Sequence, residues 1–334
     1  MSQPPVTLGL VGLGHLGKIH AKCLAMLDPQ VSIAGVYDVD FASAKHVSRQ
    51  YDWPAFARYE ELLEQVEGVV IVTPTTTHAV LAKAALKMGK HVFIEKPVTE
   101  TVTEAVELER LAQAHGCIVQ VGHVERFNPA FTALDEFSLR PAFIEAHRLA
   151  EFNPRSTDVS VVLDLMIHDL DLVLSLIDSP LERVSASGVG VVGKSVDIAN
   201  ARLDFTNGAT ANLTASRISL KQMRKLRIFQ PDAYISVDLL KKQTEVLRLS
   251  AHDPNEPGPL QLPTEDGLRE VNFEQLRIAE EANAIRDELA EFVGAIRGRI
   301  PVRVGIKAAR EALELAQRII EDINRRRNSL LAQL

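Results

Sequence analysis

Little in this sequence points to an extracellular, membrane-bound or nucleic-acid-binding protein. Its 334 residues include only two cysteines, Cys23 and Cys117, too few for a disulfide framework. Neither has another Cys or His at metal-ligand spacing, so both read as buried free thiols. No stretch reaches the ~18 apolar residues of a membrane span. One Trp and four Tyr leave no aromatic stripe on which bases could stack. Basic residues are outnumbered, 37 to 44, for a formal net charge of −7, whereas phosphate neutralisation needs clustered cations. The one basic run, Arg325-Arg326-Arg327, closes a helical pattern, where cations meet the negative end of the helix dipole. The start, Met-Ser-Gln-Pro-Pro, lacks the basic stretch of a secretory leader, and a reducing cytoplasm is the expected location.

What is present is an ordinary globular mixture, 46% apolar and 24% charged, long enough for two domains. The first 120 residues alternate short Val/Ile-rich runs with helical stripes. Strands are expected at Val6–Val11, Val31–Val36, Val69–Thr73, Val92–Ile94 and Ile118–Val121, each apolar on both faces, as in a parallel sheet covered by helices. Leu16–Leu27, Thr77–Met88 and Thr101–His115 read as the intervening helices. This half is therefore an α/β, doubly wound parallel sheet. Beyond about residue 122 the pattern becomes α+β. A very apolar helix is expected over Val159–Ile177, with strands at Phe143–Leu149, Val184–Val192, Ala199–Phe205, Thr210–Ser216, Arg224–Phe229 and Tyr234–Leu239. Asn207-Gly208 marks a hairpin. The proline-rich segment Asp253–Gly267 reads as a surface loop, followed by helices over Phe273–Ile296 and Gly305–Arg327. The expected domains are 1–122 and 123–334, with room for a closing helix to pack back on the first.

Two constellations carry chemistry. Gly12-x-Gly14-x-x-Gly17 follows a strand and opens a helix, the context in which such a turn cradles a pyrophosphate at a helix N-terminus. Gly12, Gly14, His15, Leu16 and Gly17 are thus candidate cofactor contacts. Asp38, at the end of the second strand, is placed to accept both ribose hydroxyls of an adenosine and to repel a 2′-phosphate, so the expected cofactor is NAD rather than NADP. Ligands of such sheets gather at the strand ends, where Thr73-Pro74-Thr75 and His78, Glu95-Lys96-Pro97, and His123 with Arg126 lie. His78 reads equally as a helix-start residue without a ligand. Along Val159–Ile177, Asp164, His168, Asp171 and Ser175 fall within about 60° at 100° per residue, with Asp169 off the stripe. Carboxylates and an imidazole in so apolar a helix are either an internally paired network or an active-site wall. A dinucleotide, a Lys and an Asp/His pair suit oxidation of a secondary alcohol: His168 takes the hydroxyl proton, Asp164 orients the imidazole or binds a neighbouring hydroxyl, and Lys96 steadies developing charge. No metal is required.

Gly12-x-Gly14-x-x-Gly17, Glu95-Lys96-Pro97 and Asp164-x-x-x-His168-x-x-Asp171, in that order, resemble the glucose–fructose oxidoreductase/inositol dehydrogenase/rhizopine-catabolism (Gfo/Idh/MocA) family over essentially the whole chain. The resemblance implies an N-terminal Rossmann domain and a C-terminal open, mostly antiparallel sheet flanked by helices. It also implies that the sheet face forms a homodimer or homotetramer interface, and that Lys96, Asp164 and His168 are catalytic. Gly122–Ala130 and Val162–Asp171 more narrowly resemble the bacterial branch that oxidises the 3-hydroxyl of a UDP-amino sugar, whose keto product passes to an aminotransferase in lipid A synthesis. On that reading His123, Arg126, Asn153 and Arg155 contact the sugar or diphosphate, beside Lys96, Asp164 and His168. The alternatives are a dehydrogenase of a free sugar, an inositol-type polyol or a UDP-sugar uronate, and a non-catalytic NAD-binding regulatory protein.

Overall fold

The computed structural model describes residues 4–152, 159–192, 195–251, 260–265, 267–278 and 281–331. The chain divides into two compact units, 1–127 with 283–314, and 128–282 with 315–334. Among the described residues no helix is long and apolar enough to cross a membrane.

The first unit is built on strands β1 (Val6–Val11), β2 (Val31–Tyr37), β3 (Ala55–Phe56), β4 (Gly68–Ile71), β5 (His91–Glu95) and β6 (Val119–Gly122). They form one parallel sheet in the order β3-β2-β1-β4-β5-β6, the doubly wound arrangement whose strand order reverses beside β1. The crossovers are α1 (His15–Ala25), α2 (Phe41–Tyr51), α3 (Tyr59–Glu64), α4 (Thr75–Lys87) and α5 (Val102–His115). Local signals set several of their ends. Thr101 and Glu104 form a reciprocal capping box on α5, and Gly116 ends it in the left-handed conformation. Asp40 caps α2 by accepting from the Ala42 N–H. One core cluster joins β1, β2, β4 and β5 to Cys23 and Leu24 of α1 and to Leu289, Phe292 and Val293. The latter three belong to a helix far along the chain, so the closing segment completes this core. Of the two thiols, Cys23 is buried and Cys117 only half-buried.

The second unit opens with α6 (Pro129–Thr132) and β7 (Phe143–Leu149), then a π turn (Val162–Met166) leading directly into α7 (Ile167–Leu176). The single α-helix expected over Val159–Ile177 is thus a wider π turn followed by an α-helix, a device that recurs at functional sites. Strands β8 (Leu181–Val189), β9 (Ile198–Phe205), β10 (Thr210–Ser216), β11 (Met223–Gln230), β12 (Ala233–Asp238), β13 (Gln243–Ala251), β14 (Gln261–Thr264) and β15 (Gly267–Gln275) follow. Among the described residues the sheet has nine strands in the order β14-β15-β13-β12-β11-β7-β10-β9-β8. It is antiparallel except where β7 runs parallel to β10. Two expectations are corrected here. The segment expected as a loop contains β14, in which Pro263 is tolerated because the strand lies at the sheet edge. Phe273 begins no helix: it pairs with Leu247 in the β13–β15 ladder, and α8 (Ala284–Ile296) starts only after the Asn283 cap. The last helix, α9, spans Ile306–Leu331.

Alternation along β7, β9 and β10 gives the sheet one buried face. Arg148 falls on that face of β7, beside Ala146 and Ile144 in the alternation, and is buried. It makes a two-pronged ion pair with Asp169 of α7, Nη2–Oδ1 2.7 Å and Nε–Oδ2 3.0 Å. The pair accounts for Asp169 standing off the polar stripe: it fastens the helix to the sheet one residue after His168. Removing one partner strands the other charge in the interior. Arg148→Ala is expected to lower the unfolding free energy by about 3–5 kcal/mol, read from urea denaturation; a loss below about 1 kcal/mol would show that the pair does not anchor α7.

Candidate active site

In the first unit the ends of β1, β2, β4 and β5 surround a cleft of about 810 Å³. Each glycine of the turn after β1 has a separate physical reason. Gly12 adopts φ +89° and has no room for a side chain, since a Cβ would lie 2.6 Å from the Val72 carbonyl oxygen. A Cβ on Gly17 would lie 2.0 Å from the Gly12 carbonyl oxygen, so α1 can begin this close to the strand only with glycine there. Around Gly14 no protein atom lies within 4 Å of the Cβ position: space is left on the cleft side, not filled by the fold. Gly14 is the N-cap of α1 and no side chain caps the helix, so its first N–H groups face the cleft with the positive end of the helix dipole.

Asp38 ties this turn to β2. Its Oδ2 accepts from the Leu13 N–H at 2.6 Å and its Oδ1 from the Asp40 N–H at 2.9 Å. A carboxylate has about four lone-pair positions, so two amides leave capacity for ribose hydroxyls. Val39 and Val80, which line the cleft, are 93% and 70% exposed. Two bare apolar side chains in the same cleft as Asp38 suit the flat face of an adenine. The donor set, the empty space at Gly14 and this apolar wall together fit NAD.

The remaining strand-end residues divide. Thr73, Pro74, Glu95 and Lys96 line the cleft with His15 and Leu16, whereas Gly17, Thr75 and His78 are not among its lining residues. His78 is buried, with Nδ1 2.9 Å from the Pro97 carbonyl and Nε2 2.8 Å from that of Thr73. Burial lowers its pKa, against the opposing pull of those two carbonyls. The ring lies between these two carbonyls and so bridges the segments after β4 and β5. His123 is buried and Arg126 half-buried, on the short 3₁₀ turn Val124–Phe127 and the residue before it. Sequence reasoning passed over Leu13, Tyr37, Val39, Val72, Val80 and Leu81 of the lining. Apart from adjacency to the motifs, only the unpaired exposure of Val39 and Val80 distinguishes any of them, and exposure is invisible in a sequence.

Behind Glu95 lies a group the sequence did not suggest. Glu95 Oε1 sits 2.8 Å from Nε2 of His20 on α1, and Oε2 accepts from the Lys96 N–H at 3.2 Å. Glu288 of α8 is fully buried, and its two oxygens make no hydrogen bond. Burial pushes its carboxyl well above the usual range, and the charges of Glu95 and Glu291 push the same way. A raised acid pKa means that folding takes up a proton. The folded state loses stability as pH climbs from the ordinary carboxylate range, about 4.3, toward the raised native value. Glu288→Gln is therefore expected to be more thermostable than the parent, by a margin that widens as pH rises above the ordinary carboxylate range and vanishes in acid. A margin independent of pH would show that Glu288 is ionised in the native protein.

In the second unit Asp164 lies within the π turn and His168 in the first turn of α7, both half-buried. Of the other two residues expected on the stripe, Asp171 is buried, and Ser175, half-buried like Asp164 and His168, donates back to the Leu172 carbonyl at 2.6 Å. The π turn breaks the uniform 100° step on which the stripe was drawn. Asn153 and Arg155 lie outside the described residues.

Gly14→Ala separates fold from ligand, because nothing in the protein opposes the added methyl. The variant is expected to melt with the parent while binding NAD at least about tenfold more weakly, a 1.4 kcal/mol effect, in a fluorescence titration. Parental affinity would place the cofactor elsewhere.

Residues 6–123 match the oxidoreductase family with an NAD-binding Rossmann fold, Gfo/Idh/MocA, and residues 139–235 match the Gfo/Idh/MocA C-terminal domain. The chain is 36% identical over 312 residues to UDP-N-acetylglucosamine 3-dehydrogenase of Acidithiobacillus ferrooxidans, covering 93% of this chain and 95% of that one. A solved structure of that protein superposes with a TM-score of 0.86 over 96% of this chain and 98% of the other. Bacillus subtilis scyllo-inositol 2-dehydrogenase (NAD(+)) is 29% identical over 232 residues, 64% of this chain and 68% of its own.

Proposed function

Because the chain belongs to the Gfo/Idh/MocA family of NAD-binding oxidoreductases, acting on a CH–OH group, we propose that it oxidises the 3-hydroxyl of UDP-N-acetylglucosamine. The observation that carries this reading is the near-complete alignment with the Acidithiobacillus enzyme, 93% of this chain at 36% identity. The inositol enzyme matches 64% of this chain at 29% identity.

NAD, held by the Gly12–Gly17 turn and Asp38, with Thr73, Pro74 and Glu95 around it and His78 bracing the segments that carry them, supplies the hydride acceptor. Lys96, Asp164 and His168 carry the remaining work. The hydroxyl loses its proton to Lys96 or His168, and an imidazole with an ordinary pKa near 6.5 suits that role at neutral pH. Asp164 orients the imidazole or holds a neighbouring hydroxyl. The Lys96 ammonium, where it is not the acceptor, steadies charge on the reacting oxygen. His123, Arg126, Asn153 and Arg155 contact the sugar or diphosphate.

The product is a 3-keto nucleotide sugar suited to an aminotransferase, with a 3-amino sugar for lipid A as the destination. The enzyme works in the cytoplasm as a homodimer or homotetramer. The outer face of the β7–β11 region, with the Arg227–Glu145 pair at 2.7 Å, is of the polar kind that two copies can share.

Purified protein with NAD is expected to form reduced nicotinamide with UDP-N-acetylglucosamine and not with inositol, and UDP alone should inhibit competitively. Lys96→Ala and His168→Ala are each expected to lower kcat by about 10²–10⁴-fold. Turnover of inositol without inhibition by UDP would overturn the substrate assignment, and unchanged turnover in both variants the assigned roles.

A further inference from the structure

Lys96 leaves the sheet at the end of β5, and the carboxylate before it is held from two sides. Glu95, the last residue of that strand, pairs with Gly122 of β6. Its side chain lies over that glycine, where a Cβ would come 2.9 Å from the carboxyl carbon. Oε2 accepts from the Lys96 N–H at 3.2 Å, and Oε1 lies 2.8 Å from Nε2 of His20 on α1. At that separation a proton lies between the two atoms. Glu95 already accepts from Lys96 through its other oxygen, so the proton sits on Nε2 and His20 is the donor. The His20 side chain is wholly buried and packs its ring on Phe93, two residues before Glu95, with centroids 5.6 Å apart. Its Nδ1 makes no hydrogen bond, and neither does the carboxyl of Glu288, which lies within 4.8 Å of both groups. Among the described residues, Glu95 is therefore gripped by His20 on one oxygen and by the Lys96 amide on the other. An apolar side chain at position 20 would fill the same interior without an unpartnered nitrogen, so fold stability alone does not call for an imidazole.

We propose that His20 is a positioning residue for Lys96: by donating to Glu95 Oε1 it keeps the carboxylate on the Lys96 N–H, and so fixes the backbone that carries the lysine. The inference rests on the catalytic reading of Lys96 above, and His20 itself touches neither substrate nor cofactor. Three segments converge on the one carboxylate. Gly17 lets α1 come close enough for His20, three residues on, to reach it, Gly122 leaves the space for it, and the Lys96 amide completes the chain. Without the His20 donor, Oε1 is an oxygen with no hydrogen bond in an interior that already contains Glu288. The Glu95 side chain is 10% exposed and lines the cleft, so it turns toward water there and the Lys96 amide loses its acceptor. A displacement of about 1 Å at a reacting group costs about 100-fold in rate. The helix that presents its first N–H groups to the cofactor thereby also sets the strand end that carries the lysine.

The test compares two amides that differ in reach. The side-chain NH2 of His20→Gln falls near the place of Nε2, whereas that of His20→Asn falls near Nδ1, too short for Glu95. Both are assayed with NAD on whichever of UDP-N-acetylglucosamine and inositol the parent oxidises, so the comparison does not depend on the substrate assignment. His20→Asn is expected to lower kcat by about 10–100-fold, while its Kd for NAD in a fluorescence titration stays within about twofold of the parent. His20→Gln is expected to restore kcat to within about threefold of the parent. In a Lys96→Ala background the His20→Asn loss should vanish, because a residue acting through a side chain has nothing to position once that side chain is gone. Parental kcat in folded His20→Asn, no recovery in His20→Gln, or an undiminished His20→Asn loss in Lys96→Ala overturns the positioning role. Should His20→Asn not fold, by circular dichroism, His20→Leu takes its place with the same expectations; failure of both to fold would show that His20 holds the core and also overturns the role. A Lys96→Ala enzyme as active as the parent overturns instead the catalytic reading of Lys96.

Discussion

The approach of α1 to the end of β1 sets the terms for the whole dinucleotide unit. The helix starts where a side chain on Gly17 would fall 2.0 Å from the Gly12 carbonyl oxygen, a distance no Cβ can occupy. Because the approach is that close, the uncapped N–H groups of α1 open on the cleft, where a diphosphate satisfies both their hydrogen bonds and the helix dipole. The same approach carries His20, one turn beyond Gly17, down to Glu95 at 2.8 Å. A single steric requirement thus places the cofactor turn and links the helix interior to the strand that ends in Lys96.

In the second unit the governing constraint is charge in the interior. Arg148 and Asp169 fix α7 to β7. A second buried pair, Arg217 with Asp197 at 3.2 Å, holds the chain entering the π turn. Arg217 donates to the carbonyls of Val159 and Val196, Asp197 accepts from the Val191 and Val192 N–H groups, and the Val161 N–H reaches the Val196 carbonyl. Asp164 and His168 therefore sit on a segment pinned before and after by paired charges. Pairs of this kind add little net stability against an apolar alternative but penalise every arrangement that separates them, which suits a segment whose orientation matters more than its stability.

A protein of net charge −7 that binds an anionic dinucleotide must do so by local means. The groups lining the cleft that can supply attraction are backbone N–H groups, a helix dipole and Lys96, all short-ranged against a Debye length of about 8 Å in physiological salt. The interior follows the same rule. Glu95 remains tolerable beside Glu288 because the latter gives up its charge, and His20 faces the charge that remains.

Features set by near neighbours in the chain were readable in advance. The strand-helix alternation, the Gly12–Gly17 turn, the Thr101 cap and the hairpin at Asn207-Gly208 all depend on residues a few positions apart, so propensity and spacing reveal them. The position of Asp38 beside the turn was readable because one helix and one strand fix its distance from it. Features requiring distant segments were not readable. Nothing near Phe273 announces its pairing with Leu247, and the prolines around β14 pointed to a loop because edge strands tolerate what interior strands do not. The apolar periodicity of Val159–Ile177 showed a helix but could not show the π turn, which adds one residue without altering the pattern. Nothing in the neighbouring sequence sets Arg148 or Glu288 apart; only packing decides that they are buried, because burial depends on which segments fold over them. The local sequence determined the cofactor turn and the identity of the chemical groups. Tertiary structure decided which groups lose their water, and with it which ones must pair and which must give up their charge.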